Sequence, residues 1–194
     1  MSESRLLHWR HLSGWRGWAT GWRAESALLE LGEQRFGATG VQLGVEPYPY
    51  RLDYSLTTGH GWVTERLLLL LNDGTGQRRL DLRHDGAGIW TANGEPVPEV
   101  EGALDCDLAY SPLTNSMPVL REGIREGKGP VDLTLAWVDV PTLTVHPSRQ
   151  RYEPIDADTV RYLTLGDDFE AELELDSDGF VIHYPQLARR VEGG

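Results

Sequence analysis

The sequence predicts a mainly β protein, mostly antiparallel, with a single short α-helix. Three observations carry that expectation: period-two alternation in segment after segment, hairpin-type residues between the segments, and one stretch with helical spacing.

Alternation comes first. Leu80, Leu82 and His84 alternate with Arg79, Asp81 and Arg83. Val131, Leu133, Leu135 and Trp137 alternate with Asp132, Thr134 and Ala136, and Phe169, Ala171, Leu173 and Leu175 with Glu170, Glu172, Glu174 and Asp176. Successive strand side chains point to opposite faces, so each pattern describes a strand with one buried and one wet face. Between such runs stand Asn72-Asp73-Gly74, Asp85-Gly86, Asn93-Gly94 and Asp178-Gly179. These residues supply the positive φ angles of tight hairpin turns. Connections this short leave no room for crossover helices, which argues against a parallel α/β sheet.

The helical stretch is Ser111 to Ile124, where Leu113, Met117, Leu120 and Ile124 share one face. Pro118 removes a hydrogen bond and predicts a kink. Gly127 and Gly129 around Lys128 make a flexible exit to the next strand. No repeat or low-complexity tract divides the chain, so residues 1–194 read as one domain.

Two features are odd for a simple sheet. Leu67 to Leu71 is apolar on both strand faces, so both should be covered, by the helix on one side and a partner subunit or acyl chain on the other. Trp9, Trp15, Trp18 and Trp22 lie among glycines. Tryptophan joins an apolar body to a polar N–H, which suits sugar stacking, a lipid headgroup, an interface, or closure of one end of the core.

Charge and motifs exclude several functions. The formal net charge is −12 and Lys128 is the only lysine, which argues against a nucleic-acid groove. Cys106 is the only cysteine, so no internal disulfide or cysteine–zinc site can form. No secretory signal is legible near Met1, and no apolar run is long enough for a transmembrane segment. A soluble cytoplasmic protein is the expectation. Nucleophile elbows and phosphate loops are missing, and Asp176-Ser177-Asp178-Gly179 reads as a turn, since Pro185 stands where a calcium loop closes with glutamate. No metal or cofactor is expected.

A few polar groups merit a site reading. Asp105 and Asp107 lie two apart, hence on one strand face, and paired carboxylates can do acid–base work or accept bonds from sugar hydroxyls. His84 reads as a hydrogen-bonded strand-end residue or part of an acid–base site. Arg66, Arg83 and Arg151 need carboxylate partners or an anionic ligand wherever they turn inward.

Leu80–Trp90 (LDLRHDGAGIW), Gly94-Glu95-Pro96, Gly102–Leu108 (GALDCDL) and Ser111–Arg121 (SPLTNSMPVLR) resemble the bacterial glycolipid-binding family. Tyr50–Tyr54 with Trp62 and Arg66, and Gln150-Arg151-Tyr152 with Asp168-Phe169 and Asp178-Gly179, fit the same layout. The block from Asp81 to Pro118 is its specific part; the tryptophan-rich Gly14–Trp22 stretch and Cys106 depart from it. The resemblance implies a spiral β-roll, a long mostly antiparallel sheet wrapped around one helix, like the lipoprotein-carrier fold. It brings no catalytic residues.

Three readings follow. The first is a non-catalytic protein binding a glycolipid or other amphiphile, with acyl chains between sheet and helix and a polar rim. Its candidate walls are Leu113, Met117 and Leu120; its candidate rim is Arg83, Trp90, Asp105, Asp107, Thr114, Asn115 and Gln150. Plain core and helix-capping roles compete with each. The second is a hydrolase or isomerase using Asp105, Asp107 and His84. The third is a structural or regulatory homodimer that uses Leu67–Leu71 and the tryptophans.

Overall fold

The computed structural model describes residues 3–12 and 22–191. Its strands are β1 (Glu3–His11), β2 (Arg23–Gly32), β3 (Arg35–Gly44), β4 (Tyr50–Thr58), β5 (Thr64–Asn72), β6 (Gln77–His84), β7 (Trp90–Ala92), β8 (Glu95–Pro96) and β9 (Cys106–Leu108). After the helix α1 (Pro112–Glu122) come β10 (Val131–Val138), β11 (Val145–Pro154), β12 (Thr159–Thr164), β13 (Glu170–Leu175), β14 (Val181–Tyr184) and β15 (Ala188–Arg190). Trp15 and Trp18 lie outside the described residues.

All fifteen strands form one sheet, ordered β8-β7-β6-β5-β4-β3-β2-β1-β15-β14-β13-β12-β11-β10-β9. The meander arises because each hairpin returns the chain beside the strand it left. Asn93 and Gly94, both at positive φ, make the β7–β8 turn, and Asp176 Oδ1 accepts the Asp178 and Phe180 N–H groups in the β13–β14 turn. Among the described residues, β9 and β10 are the only neighbouring strands that run parallel. The sheet curls because the stretch before β9 is sewn to its opposite end. Thr64 N–H donates to Leu104 O at 3.0 Å, Trp90 Nε1 to Ala103 O at 2.8 Å, and Cys106 N–H to Thr64 Oγ1 at 3.0 Å. The result is a spiral roll.

The helix fills the roll. Pro112 occupies its first turn and Gly123, at φ 64°, caps its end in the left-handed region. It continues through Pro118 without a break. The spacing predicts one buried face, but every residue from Pro112 to Val119 is buried, because strands surround the helix. Thr64 Oγ1 meets Met117 Sδ on the β5 side, and Ser116 Oγ accepts the Val181 N–H on the β14 side.

Leu67, Leu69 and Leu71 are fully buried on the face that looks at the helix. A bulge between Thr64 and Arg66 keeps Thr64 on that same face. The expectation that both faces of this run are covered holds only for one. Leu68 and Leu70 are half-buried, beside Ser55 and Asp81 and beside Asp53 and Arg79 respectively. The flanking arginines find acid partners on the outer face: Asp81 holds Arg66 at 2.7 Å and Arg83 at 3.1 Å, and Asp132 holds Arg151 at 2.5 Å. Trp9 closes core, at 1% exposure, whereas Trp22 is exposed.

Candidate binding site

β9 enters the roll beside the first turn of α1, and β10 to β14 curve past both. That arrangement creates two adjoining hollows, of about 260 and 410 Å³, which share Asp107, Trp137, Tyr162 and Tyr184. Asn115, Tyr110 and Ser111 line the first; His146, Arg149 and Phe169 line the second. Inward positions of neighbouring strands supply the rings. Tyr162 stands 5.5 Å from Tyr152 edge-on, 5.8 Å from Tyr184 and 6.1 Å from Phe169.

Asp107 is the buried acid of this cleft. Thr114 Oγ1 donates to its Oδ1 at 3.0 Å and Gln150 Nε2 to its Oδ2 at 2.7 Å. Tyr152 OH donates to Gln150 Oε1 at 2.9 Å, and Asn115 Nδ2 donates to Tyr152 OH at 3.2 Å. Each member thereby fixes the next, and each carboxylate oxygen, with one donor, keeps capacity to accept another. Burial pushes the Asp107 carboxyl above the usual carboxylate range, against the bonds from Gln150 and Thr114.

Asp105 has a different role. It is buried like Asp107 but lies just before β9, pairs with Arg121 at 2.7 Å and lines neither hollow. Its carboxyl is also raised by burial, with Arg121 opposing. His84 is a strand-end residue: Nδ1 lies 2.9 Å from Thr64 O, Nε2 accepts the Gly88 N–H, and the ring packs 4.7 Å from Trp90. None of the three is hydrogen-bonded to another among the described residues.

The other predicted site residues divide. Asp107, Thr114, Asn115 and Gln150 come together in one network. Thr114 is no helix cap; its hydroxyl accepts the Leu108 N–H and serves Asp107. Trp90 is buried against His84 and Arg83 is exposed beside Asp81; neither lines the cleft. Leu113 and Met117 are fully buried core, and Leu120 packs against it from the edge. The space between helix and sheet is thus occupied by side chains at these positions. Trp137, Tyr162 and Tyr184 are site residues that the sequence reading misses; their signal is an aromatic residue on each of the alternate late strands β10, β12 and β14.

No helix among the described residues is long and apolar enough to cross a membrane. No curated protein matches this chain. A crystal structure of a DUF1089 family protein from Pseudomonas aeruginosa is similar, with 32% identity and a TM-score of 0.76 over 93% of this chain and 97% of that one. A beta-barrel-like protein of a domain of unknown function, DUF1849, from Brucella abortus shares the fold at 12% identity and a TM-score of 0.52, over 98% of this chain and 96% of that one. The profile of the family described as "Putative glycolipid-binding" matches residues 13–190, and this chain belongs to that family.

Proposed function

We propose that the protein is a non-catalytic binder whose cleft takes the sugar headgroup of a glycolipid or related amphiphile. The observation that carries this reading is the placement of Asp107. It is buried, held by Thr114 and Gln150, and set on the wall shared by both hollows among Trp137, Tyr162 and Tyr184. Aromatic faces stack on the C–H faces of a sugar ring, and a positioned carboxylate accepts its hydroxyl bonds. Positioning before binding lowers the ordering cost of recognition. Leu113 and Met117 occupy the interior beside the helix, so in this reading the acyl chains stay outside the roll.

Calorimetric titration with short-chain alkyl glycosides, and with fatty acids of matched chain length, tests the reading. Glycosides should bind and fatty acids should not, with Asp107→Asn abolishing most of the glycoside affinity. Equal binding of both, or an unaffected Asp107→Asn variant, would overturn it.

A further inference from the structure

Glu25, on the inner face of β2, is 2% exposed and belongs to no group described above. Its Oε1 accepts two bonds, from Tyr54 OH and from Ser111 Oγ, each at 2.7 Å. Tyr54 reaches it by lying across Gly40 of β3, where any Cβ would collide with the ring. Ser111 is the residue before α1, and its hydroxyl serves Glu25 instead of capping the helix.

The other oxygen, Glu25 Oε2, has no hydrogen-bond partner, and neither does Gln42 Oε1. Glu25 and Gln42 are register neighbours across β2 and β3 on the same face. Two buried acceptors thus stand side by side without a donor, which costs free energy. Turning the Gln42 amide over does not help: its Nε2 donates to Ala109 O at 3.2 Å, and the flip would set oxygen against oxygen there. One proton on Glu25 Oε2 satisfies both acceptors and leaves every other bond in place.

We propose that Glu25 is carried in the folded protein as a neutral carboxylic acid donating to Gln42, and that this proton fixes the Ala109–Ser111 wall of the cleft. Two hydrogen bonds from the wall to β2 and β3 end on this pair, Ser111 Oγ on Glu25 and Gln42 Nε2 on Ala109 O, beside the Arg23 guanidinium stacked 4.1 Å from the Tyr110 ring. Losing the proton sets a carboxylate against the Gln42 oxygen in a dry interior and loosens that attachment. Glu25 is a positioning residue, and the inference concerns the protein without ligand, so it stands or falls independently of what the cleft takes.

The surroundings isolate its titration. Burial raises the Glu25 carboxyl from its ordinary 4.5 to about 7, against the bonds from Ser111 and Tyr54. Tyr54 bonds it and Tyr50 of β4 lies within its field, and Tyr50 in turn adjoins Arg23 of β2, which His11 of β1 and Tyr110 also neighbour. Burial holds Tyr54 well above 10, takes Tyr50 to about 12, raises Tyr110, and lowers His11 to about 3 with help from Arg23. Arginine keeps its charge throughout. Glu25 is the group in this cluster that titrates near neutrality. Because its folded value is raised, the folded state binds the proton more tightly, so stability is lost as pH rises from about 4.5 through about 7.

The test compares wild type with Glu25→Gln, which reproduces the neutral acid's shape and its donor toward Gln42. Infrared difference spectra at pH 6 should show a protonated-carboxyl C=O band in wild type that Glu25→Gln lacks. Thermal melts should show Glu25→Gln gaining on wild type as pH rises, by up to two to three orders of magnitude in the folding equilibrium (~300-fold for the shift above). Hydrogen exchange of the 109–111 amides should be faster in wild type than in Glu25→Gln at pH 8.5 and equal at pH 6. A missing band, or a stability difference that does not change with pH, overturns the proposal. Should Glu25→Gln fail to fold, wild type and Ser111→Ala decide: both should lose the band between pH 6 and pH 9, Ser111→Ala at the higher midpoint, and equal midpoints or a band that does not titrate overturn the proposal.

Discussion

The inner face of β3 to β6 is mainly apolar, with Phe36, Ala38, Leu52, Leu56, Leu67, Leu69, Leu71, Leu80 and Leu82 nearly inaccessible and the polar Gln42, Tyr54, Thr64 and His84 buried among them. The inner face of β9 to β12 and β14 carries Asp107, Gln150, Tyr152, Tyr162 and Tyr184 instead. Both halves alternate in the same way and both bury alternate residues against one helix. What differs is the kind of group buried. A dry aliphatic face contributes through area removed from water. A buried acid fixed by a chain of neutral donors contributes little by area, and its hydrogen bonds only offset the cost of burying it. Alternation therefore locates the interior, while the chemistry of the inward residues separates the mainly aliphatic half from the half that holds the candidate site.

Breaking the polar half at its ion pair should have the largest effect. Arg121→Met leaves the Asp105 carboxyl, 1% exposed, without its cation, at an expected cost of about 3–5 kcal/mol at neutral pH. Asp105 is already raised by burial, and without Arg121 it rises further. The folded state then binds a proton there more tightly than the unfolded chain does, so the loss should be smaller at pH 5 than at neutral pH. Urea denaturation at both pH values checks this; an equal loss at each would show that the ion pair is not the cause.

Next comes the dry half. Leu69→Ala removes a fully buried side chain from β5 and should cost about 2–5 kcal/mol, with alkyl-glycoside affinity per folded molecule unchanged. Chemical denaturation paired with calorimetry would erase the distinction between the halves if affinity fell in step with stability.

Asp107→Asn sharpens the comparison from the other side. Thr114 Oγ1 also lies 3.1 Å from Ser111 O, so its hydroxyl can turn to donate there and accept from the new amide. Stability should change by less than about 1 kcal/mol, while glycoside affinity drops at least tenfold (~1.4 kcal/mol). A severe fall in melting temperature with affinity intact would make Asp107 a structural group.

The smallest effect belongs to the outer face of the same leucine run. Leu68→Ser with Leu70→Ser should cost less than about 1 kcal/mol in total, since both side chains are half-exposed beside polar neighbours. Thermal melting beside Leu69→Ala reads the contrast directly, and sedimentation of the same variant shows whether the outer leucines join two copies.

Much of this architecture was legible along the chain. Strand alternation, the Asn-Gly and Asp-Gly turns and the single helical stretch depend on neighbours within a few residues, and local geometry follows from them. Asp107, Thr114, Asn115 and Gln150 were also legible as polar groups in unusual places. Their joining was not: Asp107 and Gln150 lie 43 residues apart, and Glu25 and Ser111 lie 86 apart. Period two states that a strand has two faces without stating which turns inward, and it is silent on how tightly a sheet curls. Only the curl brings β9 beside the helix, buries α1 on all sides, directs Asp105 to Arg121 and Asp107 to the cleft, and leaves Glu25 beside Gln42 with no donor between them.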